Sequence, residues 1–121
     1  MSPRPAGPYS PVMEAGPWLV VSGQLGLKDG SLVEGGVAAQ ARQALANLAA
    51  LLTEHGASMA DVVKTTVFMA DIADFAIVND VYVAAFGDHR PARSAVAVAG
   101  LPMGALFEVE AWALRPGHGP T

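Results

Sequence analysis

The residue most suited to chemistry in this 121-residue chain is Arg93, which follows Pro91-Ala92 and opens a segment otherwise made of Ser, Ala and Val. A guanidinium there can grip a planar carboxylate or phosphate through a two-bond fork, and its charge is fixed. Position alone equally fits a strand-end arginine reaching out to solvent. Glu108 and Glu110 lie two apart in ALFEVEAWAL, so a strand would put both on one face. A carboxylate on a partly apolar face can position a water or act as a general acid or base, its pKa set by burial and by Arg93. The alternative is two solvated carboxylates, or ordinary ion pairs with Lys64 or Arg115. Paired carboxylates are also a weak glycosidase cue, although the chain has no obvious sugar-stacking cleft. Ser22-Gly23-Gln24 ends an apolar run. Gly23 there would let backbone groups approach a ligand closely, or would simply make a turn. No GxSxG surrounds Ser22, so nothing supports it as a nucleophile.

Other chemistries are excluded by what is missing. The three histidines, His55, His89 and His118, have no ligand spacing, so no metal site is expected. The chain has no cysteine, which removes disulfides and thiolate catalysis. No phosphate-cradling glycine loop follows a strand. Seven Lys and Arg stand against eleven Asp and Glu, a net charge of −4 with no basic stripe, so nucleic acid is not an expected partner. The opening MSPRPAGPYS has no apolar core of a secretory signal. No run approaches the roughly 18 apolar residues of a membrane helix, and a cytoplasmic protein is expected.

These residues need elements to hold them. Residues 1–11 carry four prolines and should form an irregular arm. Short strands are expected at Val12–Glu14 and Trp18–Ser22, then a loop ending in Gly35-Gly36 with room for one short strand. From Val37 to about His55, Val37, Ala41, Leu45, Leu48 and Leu52 recur at helical spacing, with Gln40, Arg42, Gln43, Asn47 and Glu54 mostly opposite and Gly56 as the stop. Ser58 and Asp61 suggest a capped turn before the β-branched strand Val62–Met69. A second helix starts at Asp71 and runs to Phe86, with Phe75, Val78, Tyr82 and Phe86 as its apolar stripe. Strands at Arg93–Val98 and Ala105–Leu114 complete one domain, and a tail over 116–121 is expected to be disordered.

This alternation predicts an α/β sandwich with a mixed sheet and both helices on one face. Parity then divides the last strand. Phe107, Val109, Ala111 and Ala113 suit the helices, while Leu106, Glu108, Glu110, Trp112 and Leu114 point away. Two helices cannot cover both faces, and 52% hydrophobic residues is high for so short a chain. A partner subunit is the simplest cover, since burying Trp112 alone is worth on the order of 2–3 kcal/mol.

Seven segments in order resemble the reactive intermediate deaminases, the RidA-like or YjgF family, from about Ala6 to Leu114. They are Gly7-Pro8-Tyr9, Val21-Ser22-Gly23-Gln24, the Gln40–Asn47 stretch of the first helix, Val63–Phe68, Asn79-Asp-Val-Tyr82, Pro91-Ala-Arg-Ser94, and Leu101-Pro102 leading to Glu108–Ala111. The resemblance implies a chorismate-mutase-like α/β subunit, three of which pack their sheets into a central barrel with active clefts between neighbours. It implies hydrolysis of short 2-imino and 2-enamino acids to 2-keto acids and ammonia, with no cofactor. Arg93 is the implied clamp for the substrate carboxylate, and Glu108 the residue positioning the attacking water. Tyr9 would close the cleft, Ser22 and Gly23 line it, and Asn79 support it, while Glu110 is structural. The chain departs from many relatives in having Ala95 where they carry a cysteine, so only backbone at 95 is left to contact the substrate amine. The Gly87–Arg90 loop is also short, which bears on substrate size. A carboxylate-binding regulator and a holdase-like trimeric scaffold are the rival readings. The ribonuclease activity linked to some relatives fits neither the acidic balance nor the missing histidine pair.

Overall fold

The computed structural model describes residues 7–117. The elements run β1 (Val12–Ala15), β2 (Trp18–Leu25), a small hairpin of β3 (Leu27–Lys28) and β4 (Ser31–Leu32), α1 (Gly36–Glu54), β5 (Val62–Met69), α2 (Phe75–Phe86), β6 (Ala92–Ala97) and β7 (Phe107–Leu114). Five strands form one sheet in the order β1-β2-β7-β5-β6, antiparallel throughout except for the parallel β5–β6 pair. Both helices cover one face, giving the expected α/β sandwich. Pro116 and Gly117 form a turn; the rest of the expected tail, with His118, and the first six arm residues lie outside the described residues. No helix among the described residues is long and apolar enough to cross a membrane.

The core is what the two periodicities dictate. Ala41, Leu45, Leu48 and Leu52 of α1 meet Leu19 and Val21 of β2, Val62 and Val67 of β5, and Phe107, Val109, Ala111 and Ala113 of β7, all buried. The opposite face of β7 is open, with Trp112 45% exposed and packed edge-on to Trp18 at 5.9 Å between ring centres.

Four details differ from the sequence expectation, each for a physical reason. β2 continues to Leu25, because the register against β7 slips by one residue between Val21 and Gln24. That bulge lets Val21 and Gln24 both face inward, which a regular alternation forbids. The second helix is preceded by a 3-10 turn at Ile72–Asp74, capped by Asp71 through Oδ1, which accepts from Ala73 N at 2.9 Å. Phe75 is not part of the buried stripe formed by Val78, Tyr82 and Phe86. Finally, Gln40 and Asn47 of α1 are buried rather than solvent-facing. Asn47 Nδ2 donates to Leu25 O and Leu27 O at 3.1 and 3.0 Å, and Gln40 Oε1 accepts from Leu106 N at 2.8 Å. These amides satisfy backbone groups where strands end against the helix, where an unpaired polar group would cost about 1–3 kcal/mol.

Candidate active site

Arg93 sits on β6, the edge strand, with its Cα paired to Thr65 of β5. Thr65 is fully buried under the helices, so strand pairing places Arg93 on that same side. Its guanidinium reaches α2, where Nη1 donates to Asn79 Oδ1 at 2.8 Å. The charge lies 4.8 Å from the Tyr82 ring centre and 5.6 Å from that of Phe75. Ala95 is two residues along the same strand, half-buried, paired to Val67 and packed against the core. Arg93, Asn79 and Ala95 therefore form one group at the helix-covered edge of the sheet.

Glu108 is on β7, paired to Phe68 on one side and Leu25 on the other. Its neighbours Phe107 and Val109 are buried under the helices, so Glu108 projects from the open face. The carboxylate lies against the Ser22–Gly23 bulge of β2. A Cβ added at Gly23 would overlap Glu108 Oε2 and come within 2.8 Å of Cδ, so only glycine allows this approach. Buried Gln24 braces the bulge by donating from Nε2 to Ser22 O at 3.0 Å. Ser22 in turn holds the arm. Its Oγ donates to Ser10 O at 2.7 Å and its N to Pro11 O at 2.9 Å. This brings the segment carrying Tyr9, itself 46% exposed, to the edge of the same region.

Burial, and then the like charge of Glu110, raise the Glu108 pKa above its ordinary value of 4.5. Arg93 has no part in that shift, contrary to the sequence expectation. The reason is geometric. β5 separates the two strands, and their register positions on it, Thr65 and Phe68, are three residues apart. Strand spacing and rise put the two Cα atoms roughly 14 Å apart, with side chains on opposite faces. The ion pairs with Lys64 or Arg115 weighed for Glu108 and Glu110 do not form either. Lys64 Nζ donates to Ser94 Oγ at 2.9 Å, and Arg115 pairs with Glu14 at 3.7 Å.

The residues singled out from sequence thus fall into two groups on opposite faces of the sheet, Arg93/Asn79/Ala95 and Glu108/Ser22/Gly23 with the Tyr9 arm. Sequence reasoning missed Gln24 as a brace, and missed Phe75 and Tyr82 as neighbours of the guanidinium. The spacing of Phe75, Asn79 and Tyr82, four and then three, was the available signal for the second. No cluster of three potential metal ligands occurs among the described residues.

A family model described as Endoribonuclease L-PSP matches residues 1–115. A RutC family protein of Pyrococcus horikoshii is 44% identical over 116 residues, covering 94% of this chain and 92% of that protein. The human 2-iminobutanoate/2-iminopropanoate deaminase is also 44% identical, over 94% of this chain and 85% of its own. The solved structure of E. coli TdcF with bound serine superposes with a TM-score of 0.89 at 38% identity, covering 94% of this chain and 93% of that one.

Proposed function

We propose, since the chain belongs to the Endoribonuclease L-PSP family, that it hydrolyses short 2-imino acids to 2-keto acids and ammonia in the cytoplasm. The relatives named as 2-iminobutanoate/2-iminopropanoate deaminases support the reaction class. The observation that carries it is the fixed guanidinium of Arg93. With Nη1 given to Asn79, its remaining N–H groups can fork onto a small carboxylate. Serine bound in TdcF is a ligand with such a group.

The active unit in this reading is a homotrimer with sites between subunits. One chain holds its arginine and its glutamate on opposite faces, so a second copy must complete each site. The open face suits that role, with Trp112, Met13 at 58% and Val96 exposed.

Arg93 of one subunit grips the substrate carboxylate and sets C2 before Glu108 of the next. Glu108, as carboxylate, accepts a proton from a water held near the Ser22–Gly23 backbone while the water oxygen adds to C2. The imine is protonated at nitrogen, so addition gives a neutral carbinolamine. Glu108 returns its proton to the amine, the C2–N bond breaks as the hydroxyl oxygen closes the C=O bond, and ammonia leaves while the hydroxyl proton passes to the Glu108 carboxylate. An enamine enters by protonation at C3. Such imines hydrolyse in water unaided, so positioning and modest proton transfer suffice.

The test is direct. 2-Aminoacrylate is generated in situ with a pyridoxal-phosphate-dependent serine dehydratase and imine loss is timed with and without the protein. Acceleration is expected, and its absence would sink the deaminase reading.

Glu108 also sets an expected pH profile. Its working form is the carboxylate, and a raised pKa means that form is lost at a higher pH than for an ordinary glutamate. The acid limb of kcat/KM should therefore have its midpoint above 4.5. Glu110→Gln removes the second cause of the shift and should move the midpoint down. It should not return fully to the ordinary value, because burial remains. A midpoint unmoved by Glu110→Gln would assign the limb to another group.

A further inference from the structure

The Arg93 guanidinium is held by more than its hydrogen bond to Asn79. Phe75, Asn79 and Tyr82 form one stripe along α2, and all three meet that side chain. Tyr82 is 4% exposed, and its hydroxyl shares a 2.7 Å hydrogen bond with the buried Thr65 hydroxyl. Thr65 is also the strand partner of Arg93. A closed circuit results, from Arg93 backbone to Thr65, from Thr65 to the Tyr82 hydroxyl, and from the Tyr82 ring back to the guanidinium. Phe86 packs against the same ring, 4.7 Å between centres. A cation over an aromatic face is attracted by the ring quadrupole, and the attraction grows where water is excluded.

We infer that Tyr82 and Phe75, with Tyr82 locked by Thr65, are positioning residues that aim the Arg93 guanidinium and so set the affinity for the substrate carboxylate. This rests on reading Arg93 as the carboxylate clamp. The Tyr82 hydroxyl is tied to Thr65. Burial raises its pKa above the ordinary 10.0, outweighing the Thr65 hydrogen bond and the charges of Arg93 and Arg90. The hydroxyl therefore stays protonated near neutral pH and keeps its hydrogen bond with Thr65.

The experiment compares Tyr82→Leu, Tyr82→Phe and Phe75→Leu with the wild-type protein. Each is measured for steady-state imine clearance and for calorimetric binding of 2-oxobutanoate, a carboxylate that needs no turnover. Tyr82→Leu should raise both KM and the 2-oxobutanoate Kd about five- to tenfold, with kcat within about twofold. Phe75→Leu should raise them about threefold. Tyr82→Phe keeps the ring and should fall between the wild type and Tyr82→Leu. A purely structural role would lower the melting temperature and the active fraction but leave KM and Kd unmoved. That result overturns the inference. If Tyr82→Leu does not fold, Phe75→Leu, whose side chain is 38% exposed, carries the test. Should the wild-type protein bind 2-oxobutanoate through Arg93 yet clear no imine, the deaminase reading fails and the Kd values alone decide the positioning role. If Arg93→Ala leaves 2-oxobutanoate binding unchanged, the clamp fails and the inference with it.

Discussion

Arg93→Ala is expected to lower kcat/KM for the imine of 2-aminoacrylate by about 10²- to 10⁴-fold. Two charge-assisted hydrogen bonds to a carboxylate are worth about 1.5–3 kcal/mol each, and each 1.36 kcal/mol is about tenfold in rate. The lower part of that range applies where solvent reaches the guanidinium, since exposed charge pairs are weakened by screening. Stability should hardly change. Arg93 is on an edge strand, and its loss leaves only the half-buried Asn79 amide without a partner, which water can replace. A melting curve close to wild type beside a collapsed kcat/KM is therefore the expected pair of results. Arg93→Lys should recover only part of the activity. Its ammonium keeps the charge but cannot fork onto a carboxylate or stack on Tyr82. Unchanged kcat/KM in Arg93→Ala would remove the clamp and leave Glu108 to explain any remaining acceleration.

Most of the architecture was legible because its periodicities are strong. α1 shows an apolar repeat over 19 residues, and in β7 the four inward residues alternate with polar or bulky ones. Parity within a strand is a local property, so it can be read without knowing the partners. Parity between strands is not. Arg93 and Glu108 could be assigned to opposite faces only once β5 supplied a common register for both. β6 gave no help, because an edge strand with every residue at least partly exposed carries no buried alternation to count. Bulges hide the register further. Between Val62 and Lys64 the pairing of β5 with β7 slips, so Val62 and Thr65, three apart, are both buried. The polar residues of α1 misled for another reason. Gln40 and Asn47 look like a solvated face by type, but strand ends leave backbone groups that only a buried amide can satisfy. Phe75 looked like core by type and is instead half-exposed beside a cation.

Mixing two impaired variants should restore activity, and the amount is set by geometry. Arg93→Ala destroys the helix-side half-site and keeps Glu108. Glu108→Gln destroys the open-face half-site and keeps Arg93. In the proposed ring of three, each subunit would offer one half to each neighbour, a heterologous closed interface. A junction works only when its arginine comes from the Glu108→Gln chain and its glutamate from the Arg93→Ala chain. Random assembly of equal amounts makes that combination at roughly a quarter of all junctions, and at about one in three within trimers that contain both chains. Co-expressed chains carrying two different tags, purified through both in turn, should therefore regain a substantial fraction of wild-type kcat/KM, far above that of either parent alone. The KM of the restored sites should match wild type, because both residues at a working junction are native. A site built within one chain predicts the opposite, since every chain in the mixture lacks one of the two groups. No mixing ratio could then recover activity. The roughly 14 Å and the intervening strand between Arg93 and Glu108 favour the shared site. Absence of recovery in well-mixed oligomers would mean that the two half-sites work separately, and that Glu108 does not act on the carboxylate's own substrate.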